Sequence, residues 1–195
     1  MTDTILKTPK GRISFPYVFE GRENQQGKLE YSTDLIFDKE ADLSGMLATV
    51  EKAKEKEWGS KRPNNITSPF KDGTLKNDTP DKFGETGKYP EYVGATYITL
   101  KSKKPIAVVD INRKAITKEE LNAGCYARAV YSAFAYDFAG KIGVTLYLQA
   151  LQKLAEGEFD TSVDIEEAFA EETFTTAYAD QKSAPKTDNS NLLKG

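Results

Sequence analysis

The stretch that most constrains the fold is residues 125–153, which reads CYARAVYSAFAYD, a short connection and then IGVTLYLQALQKL. Apolar side chains occupy alternate positions from Ile142 to Leu148. This period of two places successive side chains on opposite faces, as in a half-buried strand. Two such runs around a Gly-containing turn predict a long β-hairpin. The rest of the chain must therefore build a sheet around this hairpin.

Five further stretches predict the remaining main strands and one helix. Residues 11–19, 28–37, 94–101 and 105–110 have strand character. Apolar residues recur at spacings of three and four over roughly 40–58, which predicts an amphipathic helix that ends at a glycine. About five strands with one helix after the second predict a small sheet that is closed or nearly closed, because closure removes exposed strand edges.

Two segments lack this periodicity. Residues 60–93 predict a long loop in which Lys and Arg are interleaved with Phe and Tyr. Residues 156–195 carry 3 Lys and Arg against 10 Asp and Glu, whereas residues 1–155 carry 24 against 20. Polar, acidic and small residues dominate after Leu154, a composition that predicts disorder. We therefore expect a β-rich binding domain over 1–155 and an acidic flexible tail over 156–195.

The residues that are absent exclude several kinds of chemistry. The chain has no histidine and a single cysteine, Cys125, so the usual zinc sites, His-based catalytic triads and an internal disulfide cannot form. Neither standard glycine-rich phosphate loop occurs. No apolar run reaches the ~20 residues that cross a bilayer. We therefore predict a binding protein rather than an enzyme, with no catalytic residue, no metal, no cofactor and no membrane partner.

Aromatic and basic side chains occur together in three places, as in a surface that binds single-stranded nucleic acid. One is the segment 60–93, and the second is the strand at 94–101 with the lysines after it. There, alternation places Tyr97 and Lys101 opposite the apolar Ile98 and Leu100. The third is the hairpin, with aromatic residues near its tip. Since aromatic rings also fill the cores of small barrels, this pattern alone leaves other β-rich binding modules open.

Four stretches in order resemble the bacteriophage single-stranded DNA-binding protein family, which has a single OB-fold and an acidic C-terminal tail. They are GRISFPYVFE, YSTDLIFDKE, KYPEYVGATYITLKSKKPIAVVD and GCYARAVYSAFAYDFAGKIGVTLYLQALQKL, and they cover most of residues 11–154. The resemblance implies a mainly β protein with a five-stranded OB-fold barrel, a helix inserted after strand 2 and a disordered acidic tail. It also implies a protein that coats and protects single-stranded DNA in phage replication, recombination and repair, largely without sequence preference, in the cytoplasm of the infected host.

The same resemblance assigns candidate site residues by motif position. The DNA-binding candidates are Tyr97, Lys101, Lys103, Lys104, Arg128, Phe134, Tyr136 and Lys141, with Tyr31 as a weaker choice because its parity matches the apolar set. The tail candidates for contacts with replication proteins such as a polymerase or helicase, and for competition with DNA, are Phe159, Glu166, Glu167, Phe169, Glu171, Glu172 and Phe174. Tails of this class commonly end on a Phe, but here about twenty residues follow Phe174.

Several alternatives stay open at the level of sequence. A recombination mediator or strand-annealing protein would also bind single strands, but it would form stable oligomers and promote annealing. A phage structural protein would use the barrel for assembly and show no preference for single strands. A nuclease with a carboxylate-bound metal is the enzymatic alternative. Dimerisation through sheet edges or through the helix is compatible with the sequence.

Overall fold

Five long strands and several short elements form the body of the protein. The computed structural model describes residues 5–24 and 26–157. The strands are β1 (Leu6–Lys7), β2 (Gly11–Glu23), β3 (Leu29–Phe37), β4 (Phe70–Asp72), β5 (Thr96–Ser102), β6 (Ala107–Val109), β7 (Tyr126–Phe138) and β8 (Lys141–Ala155). The helices are α1 (Ser44–Trp58) and α2 (Gly73–Asp78), with short 3-10 turns at Gly59–Lys61, Pro90–Tyr92 and Lys118–Glu120.

The five long strands close into a ring in the order β2-β3-β5-β8-β7 and back to β2. All neighbours in this ring are antiparallel except β5 and β8, which are parallel. Closure gives each long strand a partner on both sides. The predicted mainly β fold, a five-stranded OB-fold barrel with a helix after the second long strand, is therefore confirmed.

The barrel interior is filled by the alternating residues that the sequence predicts. Leu35, Ile98, Leu100 and Leu146 are fully buried there. Helix α1 adds its two buried residues, Met46 and Val50, and packs against β7 and β8. The predicted hairpin is also confirmed: Ala139 and Gly140 connect β7 to β8, and their φ angles of 53° and 76° are those of a tight hairpin turn.

The segment 60–93 differs from the prediction, because it contains β4, α2 and two 3-10 turns rather than only a loop. Strand β5 pairs with β8 only at Leu100 and Lys101, and its first half pairs with β4 instead. Thr67 forms a bridge to Gly143 of β8. Residues 67–72 thus fill a gap where β5 and β8 diverge. Elements of three and six residues are too short to show a period, so the sequence pattern does not reveal them.

Candidate nucleic-acid interface

The outer face of β3 and β5 carries polar, basic and aromatic side chains. In register, Asp34 lies opposite Thr99, Ile36 opposite Tyr97 and Ser32 opposite Lys101. The intervening Ile98 and Leu100 are buried in the barrel. The predicted division of β5 into an apolar inner face and a Tyr/Lys-bearing outer face is therefore confirmed.

Asp34 is the organising residue of this face. Its carboxylate accepts hydrogen bonds from Lys76 Nζ at 2.6 Å, Tyr92 Oη at 2.8 Å and Thr99 Oγ1 at 2.7 Å. The residue is only 6% exposed, so these donors replace the water that a carboxylate would otherwise require. Lys76 belongs to α2 and Tyr92 to the turn at 90–92. Asp34 therefore fastens the segment after β4 to the outer face of the barrel.

Four aromatic rings surround the Lys76 ammonium. Its Nζ lies 3.9 Å from the ring centroid of Tyr92, 4.6 Å from Phe15, 4.7 Å from Tyr97 and 5.3 Å from Tyr89. The rings also pack edge to face, with centroids 4.9 Å apart for Tyr92–Tyr97 and 5.6 Å for Phe15–Tyr89. The deepest member, Tyr92, is fully buried, and burial beside Asp34 raises its pKa. This aromatic cluster forms the floor of the face.

Phe15 has an unusual backbone conformation in this cluster. Its φ of 49° is in the left-handed region, which a bulky non-glycine residue rarely adopts. The strand β2 is irregular here, with a register shift between Ser14 and Tyr17. Such strain costs roughly 1–3 kcal/mol and persists where the surrounding structure enforces it, often at ligand sites. Here the enforcing contacts are Tyr17, Tyr89 and Lys76.

Three lysines, Lys71, Lys76 and Lys101, lie on this face. Lys71 Nζ is 3.2 Å from Thr99 Oγ1 and 5.4 Å from the centroid of the Tyr97 ring. Lys71 as a whole keeps access to solvent, but burial of its ammonium end lowers its pKa, and nearby Lys76 and Lys101 lower it further. Lys101 forms an ion pair with Glu30 at 2.8 Å. Two of the three lysines thus have a carboxylate partner, and the local charge of the group is positive.

The aromatic surface continues onto the β7–β8 hairpin. Phe134 is 54% exposed, and its ring centroid lies 6.2 Å from that of Tyr147. Tyr147 is opposite Lys101 in the parallel pairing of β5 with β8, which joins the hairpin to the lysine group. Tyr136 packs over Gly143, where an added Cβ would lie 2.6 Å from the Tyr136 hydroxyl. At the hairpin tip, Phe138 is 78% exposed.

The structure places most of the predicted DNA-binding residues on the outer surface of the barrel. Those on the outer surface of adjacent strands, at the hairpin tip or in the turn that follows β5 are Tyr97, Lys101, Lys103, Lys104, Phe134, Tyr136 and Lys141. Tyr97 is 9% exposed and thus offers a base little surface. Tyr31 is buried and shares the parity of the core residue Leu35. Arg128 lies six residues before Phe134 on β7, away from the tip, and its Nε donates to Gln152 Oε1 at 2.9 Å.

Other residues of the face were not among the assigned DNA-binding candidates, although several belong to the basic and aromatic segments identified from the sequence. They are Phe15, Lys71, Lys76, Tyr89, Tyr92, Phe138 and Tyr147. The interleaved basic and aromatic residues of 60–93 were a signal for the members of that segment. For Phe15, the signal is the following Pro16, which indicates a bend in the strand.

Some predictions fall outside the described residues or concern sites that the described part lacks. The tail candidates, from Phe159 to Phe174, lie beyond residue 157, where the description ends. Across residues 5–24 and 26–157, no cluster of three or more Cys, Asp or Glu side chains is arranged to hold a metal ion. The helices of that same part are too short and too polar to span a membrane.

Comparison with known proteins identifies the family. The family described as "Enterobacter phage Enc34, ssDNA-binding protein" matches residues 4–182. Protein p50 of Acyrthosiphon pisum secondary endosymbiont phage 1 is 25% identical over 162 residues, which is 78% of this chain and 84% of p50. Two solved structures share the fold. The single-stranded DNA-binding protein of bacteriophage Enc34 in complex with ssDNA has a TM-score of 0.64 and 20% identity, over 78% of this chain and 86% of that one. The single-stranded DNA-binding protein gp2.5 of bacteriophage T7 has a TM-score of 0.56 and 16% identity, over 84% and 99%. The chain therefore belongs to the family of the Enterobacter phage Enc34 ssDNA-binding protein.

Proposed function

We propose that the protein binds single-stranded DNA without catalysing a reaction, and that it coats and protects such strands during phage replication, recombination and repair in the host cytoplasm. The observation that carries this proposal is the group of Lys71, Lys76 and Lys101 on one outer face, flanked by the exposed ring of Phe134. Membership of the family supports the same ligand.

The aromatic residues of the face divide into two roles according to exposure. Phe134 and Phe138 have enough free surface to stack on bases, and Tyr147 lies beside Phe134. Stacking contributes ~1–3 kcal/mol per base and tolerates any base, because every base has a π-face. Tyr92 and Tyr97 form the floor that holds the lysines in place. Binding by this face is therefore largely independent of sequence.

The lysines supply the contacts to phosphate. Lys101 forms a partly exposed ion pair with Glu30. A DNA phosphate binds Lys101 by replacing Glu30 as its partner. Such a pair contributes only ~0–1 kcal/mol, so a phosphate can replace it at small cost. Lys76 stays on Asp34 because that carboxylate is buried and would be left without its charged partner. Lys71 and Lys101 are thus the main phosphate contacts on this face, and Lys76 keeps its structural position.

The family resemblance implies a separate role for the acidic region over 156–195. We expect it to recognise phage replication proteins such as a polymerase or helicase, and to compete with DNA for basic residues. Its 10 Asp and Glu against 3 Lys and Arg support electrostatic competition, which would be strongest at low salt. Dimerisation through a sheet edge or through α1 is part of the same proposal and would be read from the mass in solution.

The decisive experiment is fluorescence anisotropy with a labelled dT strand of about 30 nucleotides and with the matching duplex, over a salt series. Preference for the single strand, with affinity that falls as salt rises, supports the proposal. Equal binding to both, or no binding, would refute it. Promotion of annealing between complementary strands beyond the effect of salt would favour the strand-annealing alternative instead.

A further inference from the structure

A second basic surface lies at the opposite end of the hairpin from its tip. There, β1 pairs with β7 and β6 pairs with β8, and the outer faces of these strands enclose a groove of about 300 Å³. We call it the distal groove. Its lining includes three cations, Lys7, Arg113 and Arg128, around a floor of Val109, Val130 and Ala150.

Hydrogen bonds hold the Arg128 guanidinium and the backbone of the turn that carries Arg113. Gln152 Oε1 accepts from Arg128 Nε at 2.9 Å, while Gln152 Nε2 donates to the backbone oxygen of Asp110 at 3.0 Å. The turn that carries Arg113 closes on the same oxygen, which accepts from the Arg113 backbone N–H at 3.0 Å. One glutamine thus ties the Arg128 guanidinium to the turn that presents Arg113. Arg128 is thus held in place before any ligand arrives, which lowers the cost of binding at this residue.

The electrostatics of the distal groove differ from those of the main interface. Within the described part of the chain, Lys7, Arg113 and Arg128 form no ion pair with a carboxylate, whereas Lys76 and Lys101 each have one. Clustered like charges repel one another, so an anionic ligand would relieve this repulsion. The three cations therefore form a site for phosphate or carboxylate groups.

Two observations favour nucleic acid over an acidic peptide. Tyr126 has the Lys10 ammonium 5.1 Å from its ring centroid, so an aromatic ring and a further cation lie two residues before Arg128 along β7. Arg128 also shares its strand parity with Phe134, which places both on the outer face of one strand. At ~3.3 Å per residue, the six residues between them span about 20 Å. Arg128 of the groove and Phe134 of the proposed interface thus lie on the outer face of the same strand.

We propose that the distal groove is a second phosphate-binding subsite for the same DNA strand that the main interface holds. This inference rests on the proposed function. A short oligonucleotide occupies the face around Phe134 and Lys101, and a longer one also reaches Lys7, Arg113 and Arg128. The subsite extends the binding track of the barrel and accounts for a basic groove that the main interface does not use.

The test compares two charge-matched double variants of the full chain. Lys7→Gln with Arg113→Gln removes two cations of the groove and leaves Arg128 on Gln152. Lys52→Gln with Lys56→Gln removes two exposed cations of α1 and serves as the control. Affinity for dT strands of about 3 and about 30 nucleotides is measured over a salt series, because about 3 nucleotides are too few to span the roughly 20 Å between Phe134 and Arg128. Thermal unfolding confirms that both variants fold.

The groove variant should bind the short strand as the wild type does and the long strand more weakly. Each phosphate contact on a single strand contributes ~0.7 to the slope of log affinity against log salt, so the slope for the long strand should become shallower by about 1.4. The control should match the wild type at both lengths. Equal losses at both lengths would overturn the subsite, because the cations would then act only through their general field. Unchanged affinity at both lengths would overturn it too and leave the groove to an acidic peptide. If the wild type binds neither strand, the proposed function itself fails.

Discussion

The Phe134→Ala substitution is the most direct test of whether base stacking can be lost while the fold is kept. The ring is 54% exposed and has Tyr147 as its aromatic neighbour, 6.2 Å away between centroids. Loss of one stacked base costs ~1–3 kcal/mol, and each 1.4 kcal/mol is a factor of ten, so affinity for single strands should fall roughly 5- to 150-fold. An aromatic pair of this kind contributes ~0.5–1.5 kcal/mol to stability. The melting temperature should therefore fall by only about 1–6 °C.

The assay is anisotropy with the dT strand, paired with thermal unfolding of the same preparations. Leu47→Ala is the control, because Leu47 is 51% exposed on α1 and its removal also takes an apolar side chain from the surface. The control should leave affinity unchanged. Wild-type affinity in Phe134→Ala would refute a stacking role for this ring. A melting temperature lowered by more than about 10 °C would instead assign Phe134 to the packing of the hairpin.

Four further predictions test other parts of the face. Tyr97→Ala should lower the free energy of unfolding by about 3–5 kcal/mol in denaturant titration, because the ring is buried against Tyr92. A loss below about 1 kcal/mol would contradict the role of Tyr97 in the aromatic floor of the outer face. Burial lowers the pKa of Lys71 below its usual 10.5, so as pH rises Lys71 loses its charge, and with it the phosphate contact, before pH 10.5 is reached. The Lys71→Arg variant should keep its affinity for DNA at alkaline pH, because arginine stays protonated there. If the affinity of the wild type and of the variant changed with pH in the same way, the result would argue against the contact. Gly73→Ala places a Cβ 2.1 Å from the Tyr92 carbonyl oxygen and should therefore expose residues 70–93 to limited proteolysis. Gly45→Ala is the control, because a Cβ there has open space. Equal resistance of both variants to the protease would disprove the clash. Truncation after Gly157 should tighten DNA binding most at low salt, and an unchanged affinity there would rule out competition by the tail.

The lowered pKa of Lys71 also makes the stability of the protein depend on pH. A lysine whose pKa is lowered in the folded state binds fewer protons there than in the unfolded chain, between its folded-state pKa and 10.5. Its contribution to the free energy of unfolding therefore rises with pH across that interval. DNA affinity and stability should thus change in opposite directions as pH rises, and Lys71→Arg should remove both trends.

The sequence by itself determined the barrel strands and α1. The alternation in β3, β5 and β8 and the three-and-four spacing in α1 are local patterns, and each was found where the pattern predicted it. The division of β5 into buried Ile98 and Leu100 and outward Lys101 follows from the same period. These features could be predicted because burial against one common core imposes a fixed period on each element.

Only the tertiary structure decided which aromatic rings are accessible. Tyr97 and Phe134 both lie on outward positions of strands, yet Tyr97 is covered by Tyr92 while Phe134 stays open to solvent. The cause is the segment after β4, which Asp34 fastens over β5 through Lys76 and Tyr92, residues 42 and 58 positions away in the chain. No local period encodes contacts of that range. Long-range contacts also place Arg128 in a groove with Lys7 and Arg113. The pairing of β1 with β7 and of β6 with β8 brings together these cations, which are far apart in sequence.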